Sequence, residues 1–275
     1  MAAAISILLI VIALYIFAIA PRMFGKPDTR AFEHVFYAHR GLFDNEAQHP
    51  ENSLAAFRRA VEAGYGIETD VRLSKDNVPV LHHDATLLRS CGIDGNICDY
   101  TYEELQAFRL FKSNETIPRL CDLLELVAEK VPLIIEYKLE AGENAEPLCN
   151  AGNNILKKYG GSYCIESFNS WVLRWYKKHH PHIVRGQLAE NYLKAGIQMN
   201  KLLLFTLQNL LINFLTRPDF IAYNYEFRNA FSFRMCCLFG ALPVAWTIKN
   251  HEQLEKARKM YRAYIFDSFM PDRMP

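Results

Sequence analysis

Short apolar runs of strand length recur along this sequence, and several of them end in ionisable residues. The run from Val35 to Ala38 is followed at once by His39, and the run from Val131 to Ile135 is followed by Glu136. Uninterrupted apolar runs of about four to eight residues are typical of strands that are buried on both faces. Since helix-like segments separate the runs, the pattern predicts a parallel α/β fold with its chemistry at the strand ends.

The densest part of this pattern lies between Tyr37 and Asp84. Its first strand is followed by Asn52 and Ser53, either of which can cap a helix that Gly64 ends. The next apolar run, Tyr65 to Leu73, completes the order strand, helix, strand. We expect the functional residues to lie in this stretch.

The second strand carries two acidic residues on one face. Glu68 and Asp70 are two positions apart, so both carboxylates leave the same side of the strand. They repel each other unless water or a cation compensates, and the apolar Ile67 and Val71 leave little sign of a solvent-exposed face. Together with Glu136 they suit a hard cation such as Mg²⁺ or Ca²⁺, whereas zinc sites usually draw on histidine and cysteine.

Basic residues accompany the acidic ones. Arg40 follows the first strand, and Lys138 lies two positions after Glu136 on a later one. A cation flanked by an arginine and a lysine forms a cradle for phosphate. Of the adjacent pair His82 and His83, the first faces the opposite way if the strand persists, so we expect it to be structural.

Further apolar runs complete the predicted architecture. With the first three strands they make eight, which predicts a closed TIM-like (β/α)8 barrel, and about 245 residues follow the N-terminal segment, the usual size of such a barrel. We expect the barrel at residues 31–275, with a small insertion around 85–116. The five further runs are Tyr163 to Ile165, Ile183 to Leu188, Phe220 to Tyr223, Pro243 to Thr247 and Tyr264 to Phe266.

Five motifs, in this order and spacing, resemble the glycerophosphodiester phosphodiesterase family. They are His39-Arg40-Gly41, Pro50-Glu51-Asn52-Ser53, Glu68-x-Asp70, His83-Asp84 and Glu136-x-Lys138. The resemblance covers roughly Tyr37 to Pro271 and continues more faintly into Trp246-Thr247. The sequence departs from the family pattern near the end of the chain, where the spacing from Asp267 to Pro271 is altered. The contribution of the last strand to the site is therefore left open.

The resemblance implies the roles of the charged residues. Glu68, Asp70 and Glu136 would hold one divalent cation, either Mg²⁺ or Ca²⁺. His39 and His83 would act as acid and base, with the assignment between them open.

The same resemblance implies a set of supporting residues. Arg40 and Lys138 would bind the substrate phosphate, and Glu51, Asn52 and Trp246 would lie in a second layer or in the pocket wall.

The implied reaction is hydrolysis of a glycerophosphodiester to sn-glycerol 3-phosphate and an alcohol. In that family the neighbouring glycerol hydroxyl is thought to attack phosphorus, and water then opens the cyclic phosphate. Two alternatives are a lysophospholipase D or sphingomyelinase D-like reaction on membrane lipids, and a catalytically silent lipid-binding module. The complete set of charged positions with both histidines argues against a silent module.

The N-terminal segment does not resemble part of a barrel. Ala2 to Ala20 is an uncharged apolar run of about 19 residues, just long enough to span a bilayer. It could be a membrane anchor or a signal peptide cut after Ala20, and the lack of a charged start favours an anchor, with residues 1–30 as anchor and linker. Arg22, Lys26 and Arg30 follow it, which predicts a single-pass protein with a cytoplasmic barrel.

Composition limits the remaining possibilities. The net charge of +1 and the lack of a basic stretch with stacking aromatic residues predict no nucleic-acid partner. Seven cysteines without C-x-x-C spacing suggest neither a disulfide framework nor a zinc site.

Leu202 to Leu215 is a second apolar segment, but it is too short and polar to span a membrane, and we expect a barrel helix there. A sharper hypothesis, in which Phe231 to Phe239 takes part, is that this helix rests on the bilayer beside the pocket.

Overall fold

The structure is a computed structural model that describes residues 1–140 and 142–272. The last three residues of the predicted domain 31–275 therefore lie outside the described residues. Within the described residues, nine strands form one sheet. They are β1 Phe36–His39, β2 Gly66–Leu73, β3 Pro79–Leu81, β4 Leu133–Tyr137, β5 Tyr163–Ser167, β6 Arg185–Ala189, β7 Phe220–Asn224, β8 Leu242–Ile248 and β9 Ala263–Phe266.

Helices alternate with these strands, as predicted from the sequence. They are α1 Ala2–Ile19, α2 Leu54–Glu62, α3 Leu88–Cys91, α4 Tyr102–Leu105, α5 Leu120–Val127, α6 Ala145–Leu156, α7 Ser170–His179, α8 Lys201–Gln208, α9 Asn213–Thr216, α10 Phe231–Leu238 and α11 His251–Ala257. The Ser53 hydroxyl accepts a hydrogen bond from the Ala56 N–H and caps α2, as its position before the apolar run indicates.

The sheet closes on itself. Its order is β1-β9-β8-β7-β6-β5-β4-β2, and β1 pairs in parallel with both β9 and β2. The predicted eight-stranded TIM-like barrel is confirmed. The ninth strand, β3, lies outside the ring and pairs antiparallel with β2.

Two apolar layers hold the barrel together. Side chains alternate along each strand between the inside and the outside of the barrel. Tyr37, Phe220 and Val244 pack inside it, whereas residues such as Ile135 pack against the helices. Gly66 is required by this packing, since a Cβ atom there would lie 2.7 Å from the Tyr37 ring.

The predicted insertion has a small core of its own. Val80 of β3 packs there with Leu87, Ile97 and Leu105, all buried. The Thr101 and Glu104 side chains cap each other's backbone at the start of α4, as their spacing predicts. The short helix α3 also lies in this insertion.

The prediction of one helix over Leu202 to Leu215 is wrong. The chain forms α8 and α9, separated by a break at which Leu210 has a left-handed φ of 57°. The Asn209 amide donates to the Phe205 carbonyl at 2.8 Å and so competes with the helical backbone pattern before the break.

The N-terminal helix α1 packs on the barrel only near its end. Residues 1–14 are exposed, whereas Ile19 and Ala20 are buried. Contacts of α1 are made mainly with α9 and α10.

Candidate active site

The predicted residues converge at the carboxyl end of the barrel because the strand register places them there. His39, the last residue of β1, is paired in register with Glu68 of β2. Asp70 is paired with Glu136 of β4, which in turn is paired with Glu166 of β5. Acidic residues from three neighbouring strands therefore form one layer inside the barrel, at the end where TIM barrels carry their active sites.

Three carboxylates form the centre of the site. One oxygen each from Glu68, Asp70 and Glu136 lie within 4.8 Å of one another, and all three side chains are buried. Burial raises the pKa of Glu68 well above its usual range, with Asp70 and Glu136 adding to the effect, and burial raises the pKa of Glu136 to about 7. Burial would also raise the pKa of Asp70, but Lys138 and Arg40 outweigh it and hold that pKa well below its usual range.

Two cationic side chains border the carboxylates. The Lys138 ammonium lies 2.8 Å from Glu136 Oε2 and 3.2 Å from Asp70 Oδ1. Arg40 has a positive φ of 55°, and its backbone N–H donates to Glu68 Oε2 at 3.1 Å. Its guanidinium donates to Glu51 at 3.0 Å and lies 3.4 Å from Asp70.

The balance of charge inside this end of the barrel fits a divalent cation. Four carboxyl groups are buried there: Glu68, Asp70, Glu136 and Glu166. Among the described residues, Lys138 and Arg40 form the ion pairs with these carboxylates, and Arg40 is shared with Glu51. Asp70 Oδ1 and Glu166 Oε2 are buried without a hydrogen bond from any described residue. An all-oxygen set with surplus negative charge is the donor set that Mg²⁺ and Ca²⁺ prefer.

His39 is oriented by a residue from the last strand. Its Nδ1 lies 3.1 Å from Asp267 Oδ2, while its Nε2 lies 3.9 Å from Glu68. Burial lowers the pKa of His39, and the Asp267 carboxylate partly offsets this effect. The altered spacing after Asp267 therefore does not displace the residue, although sequence reasoning left it out of the site. Its position directly after the apolar run of β9 follows the same pattern as His39.

A chain of ion pairs orients His83. Its Nδ1 lies 2.6 Å from Asp84 Oδ1, and the other Asp84 oxygen accepts from Arg89 Nε at 2.6 Å. Arg89 also donates to Glu51 at 2.7 and 3.0 Å, which links this chain to Arg40. Burial lowers the pKa of His83 to about 4. Arg89 belongs to the short helix α3, and no local sequence signal marks it as part of the site.

The remaining predicted residues lie in the wall of the site. The Asn52 amide donates to Asp70 Oδ2 at 2.9 Å, and its carbonyl oxygen accepts from the Thr69 hydroxyl at 2.8 Å. The Trp246 indole donates to the Ala222 carbonyl at 2.9 Å, and its ring packs edge-on against Phe168.

The site opens into a small cavity of about 80 Å³. The cavity is lined by both predicted acid/base histidines, by the cationic side chains of Arg40 and Lys138, and by Glu68 and Glu136 of the predicted metal ligands. Glu166, Phe168 and Trp246 complete the lining. His82 is outside this cavity, where it contacts the Ser90 hydroxyl at 2.6 Å and the Asp84 carbonyl at 2.8 Å, which agrees with the structural role expected for it.

Comparisons with known proteins agree with this geometry. Residues 39–274 match the model of the Glycerophosphoryl diester phosphodiesterase family. A glycerophosphodiester phosphodiesterase of Caldanaerobacter subterraneus subsp. tengcongensis is 35% identical over 163 residues, and the alignment covers 56% of this chain and 65% of that enzyme. The chain thus spans just under two thirds of that relative. Glycerophosphodiester phosphodiesterase 1 of Bos taurus is 25% identical over 270 residues, covering 86% of this chain and 77% of the bovine protein.

Solved structures show the same fold. A phosphodiesterase of Oleispira antarctica, in complex with the product sn-glycerol-3-phosphate, has a TM-score of 0.70 and 25% identity. That similarity covers 86% of this chain and 93% of the Oleispira chain.

Proposed function

Because the chain belongs to the glycerophosphoryl diester phosphodiesterase family, we propose that it hydrolyses glycerophosphodiesters to sn-glycerol 3-phosphate and an alcohol, with a divalent cation. The observation that carries the proposal is the buried carboxylate triad beside two histidines and two cationic side chains. The product bound in the similar Oleispira antarctica structure supports the identity of the phosphate product.

Glu68, Asp70 and Glu136 would hold the cation, which when bound supplies charge that stabilises a phosphate oxygen. Arg40 and Lys138 offset the remaining charge from the protein side. Asn52 keeps Asp70 in place, and Glu51 holds the Arg40 guanidinium. A cavity of about 80 Å³ has room for a phosphate group but leaves the rest of the substrate outside, in the mouth of the barrel.

His39 and His83 move the protons. In the first step the neighbouring glycerol hydroxyl attacks phosphorus, one histidine takes the hydroxyl proton, and the other protonates the departing alcohol oxygen. In the second step water opens the cyclic phosphate, with the two roles reversed. Asp267 and Asp84 each accept from Nδ1 of their histidine in this arrangement, which leaves both Nε2 atoms facing the substrate.

A lysophospholipase D reaction is a second candidate. The exposed apolar side chains of α8, such as Leu202 at 74% and Phe205 at 50% exposure, favour it because they offer contact for an acyl chain. A silent lipid-binding module is disfavoured because it has no need for a metal site and a proton-transfer pair together.

We also propose that α1 anchors the protein in a membrane. It has 18 residues with a mean hydropathy of 2.9, and 6% of it is buried. A signal sequence has the same composition, but the barrel holds the end of this helix. The buried Asn213 amide donates to the Ile19 carbonyl at 2.9 Å, and Arg217 donates to the Ala20 carbonyl at 2.8 Å. The basic residues that follow α1 support a cytoplasmic barrel.

The test is hydrolysis of glycerophosphocholine and lysophosphatidylcholine by the full chain, with Mg²⁺, Ca²⁺ or EDTA. We expect cation-dependent turnover that falls at least 100-fold in Glu68→Gln and in His39→Ala. Matched controls are Glu103→Gln and His182→Ala, whose side chains are exposed and lie outside the site.

The preferred substrate decides between the two enzymatic candidates. Turnover that persists in EDTA would contradict the metal site, and equal loss in the control variants would contradict the residue assignment. Lipid binding without turnover of either substrate would favour the silent module.

A further inference from the structure

The direction of α1 relative to the barrel follows from two contacts. Near its end, the Ile19 carbonyl accepts from Cys236 Sγ at 3.2 Å, in the second half of α10. One turn earlier, Tyr15 stacks on Phe231, the first residue of α10, with ring centroids 6.2 Å apart. Moving back along α1 therefore means moving back along α10, and both helices start at the same end of the barrel.

That end is the catalytic one. In a (β/α)8 barrel each helix begins at the face where the preceding strand ends, and α10 follows β7. The exposed residues Ala2 to Leu14 therefore project past the catalytic face rather than away from it. At about 1.5 Å per residue this free part is roughly 20 Å long.

A bilayer crossed by α1 must then touch the barrel. The hydrocarbon layer is about 30 Å thick, so the free part of the helix is roughly 10 Å too short to cross it alone. The segment from Tyr15 to Ile19, which is packed on the barrel, has to make up the difference. The rim of the catalytic face beside α1 is thereby brought to the level of the lipid head groups.

The rim at this place is apolar. Six exposed apolar side chains follow the ends of β6 and β7, and we name them the apolar rim: Leu193, Ile197, Met199, Leu202, Phe205 and Phe231. On the opposite side of the mouth, around β1 and the insertion, the exposed residues include the ion pair of Glu46 and Lys112, and the apolar Leu88 stands apart from the six of the apolar rim. This division of apolar and charged sides is the one expected of a surface that dips into a bilayer at one edge.

We infer that the catalytic mouth rests against the bilayer through the apolar rim, and that the site draws a glycerophosphodiester bearing an acyl chain directly from the membrane. The inference rests on the proposed function for its substrate but on α1 and the apolar rim for its geometry. The phosphate would enter the cavity while the acyl chain stays in the lipid beside Leu202 and Phe231.

The first experiment compares two exposed leucines at opposite ends of the barrel. Leu202 lies in the first turn of α8 at the catalytic end, and Leu238 ends α10 at the other, with exposures of 74% and 77%. The full chain is reconstituted in phosphatidylcholine vesicles, and turnover of lysophosphatidylcholine in the bilayer is divided by turnover of water-soluble glycerophosphocholine. We expect this ratio to fall at least fivefold in Leu202→Glu and to stay within twofold of the parent in Leu238→Glu. Equal ratios in the two variants would overturn the inference.

A second experiment is independent of activity. Leu202→Trp and Leu238→Trp are reconstituted with brominated phosphatidylcholine, and the emission added by each new tryptophan is measured. We expect at least twofold stronger quenching of the tryptophan at position 202, and equal quenching would overturn the geometry. If the parent turns over neither substrate, the proposed function fails, while the quenching result still decides the orientation. A dimer in vesicles that Leu202→Glu dissociates would assign the apolar rim to a second copy and overturn the inference.

Discussion

Asp267→Asn tests whether the last strand contributes to proton transfer. The substitution keeps the size of the side chain but removes the negative charge that lies 3.1 Å from His39 Nδ1. A hydrogen bond to a charged group contributes about 1.5–3 kcal/mol. Since about 1.4 kcal/mol corresponds to a tenfold change in rate, we expect kcat to fall by about 10- to 100-fold.

The pH profile of this variant carries more information than its rate. The Asp267 carboxylate favours the protonated imidazole, so its removal lowers the pKa of His39 further below the usual value. If His39 is the base, the acidic limb of the kcat/KM profile moves to lower pH; if it is the acid, the basic limb moves to lower pH. The shifted limb therefore assigns the two histidines.

The assay is hydrolysis of glycerophosphocholine between pH 4 and pH 10, with thermal unfolding measured in parallel. Ser268→Ala is the matched control, because the exposed Ser268 hydroxyl donates to the other Asp267 oxygen at 2.8 Å. We expect its kcat to stay within about threefold of the parent. An Asp267→Asn variant with parental kcat and unmoved limbs would refute the role of Asp267, and equal losses in both variants would point to a local structural effect.

Three further predictions concern the rest of the site. Mg²⁺ or Ca²⁺ at about 100 times its dissociation constant should stabilise the fold by about 2.7 kcal/mol, since a cation relieves repulsion among buried carboxylates. Thermal unfolding of the parent in EDTA and in the cation should show this gain in stability, and Glu136→Gln should show less than half of it. A parent whose stability does not change with the cation would contradict the metal site. Arg89→Met should lower kcat about tenfold with little change in KM, because Asp84 then loses the partner that holds it against His83. A kcat equal to that of the exposed control Arg109→Met would exclude this role. His82→Phe should cost about 2 kcal/mol of unfolding free energy through the partners it leaves, while kcat changes less than threefold. Burial lowers the pKa of His82, so the unfolded chain takes up a proton first and the stability of the fold falls as the pH drops below 6.5. This loss of stability at low pH should be smaller in His82→Phe. A large loss of kcat in His82→Phe would contradict the structural role.

Much of the fold was predictable because the relevant signals are local. Apolar runs of strand length, helix-capping residues such as Ser53 and Thr101, and the two-residue spacing of Glu68 and Asp70 depend only on neighbours along the chain. Where a local signal misled, another local interaction competed with it, as at Asn209 in the break between α8 and α9.

Sequence alone thus determined where the barrel strands form, which of their ends carry ionisable groups, and what cation and anion those groups suit. Tertiary structure decided which groups meet. His39 and Asp267 are 228 positions apart, and Arg89 reaches Glu51 from an insertion whose path no local pattern describes. The physical reason is that such pairs depend on how the barrel closes and in which register its strands align, and this is settled by packing across the whole ring. The direction of α1 relative to the barrel was likewise decided by contacts with α9 and α10.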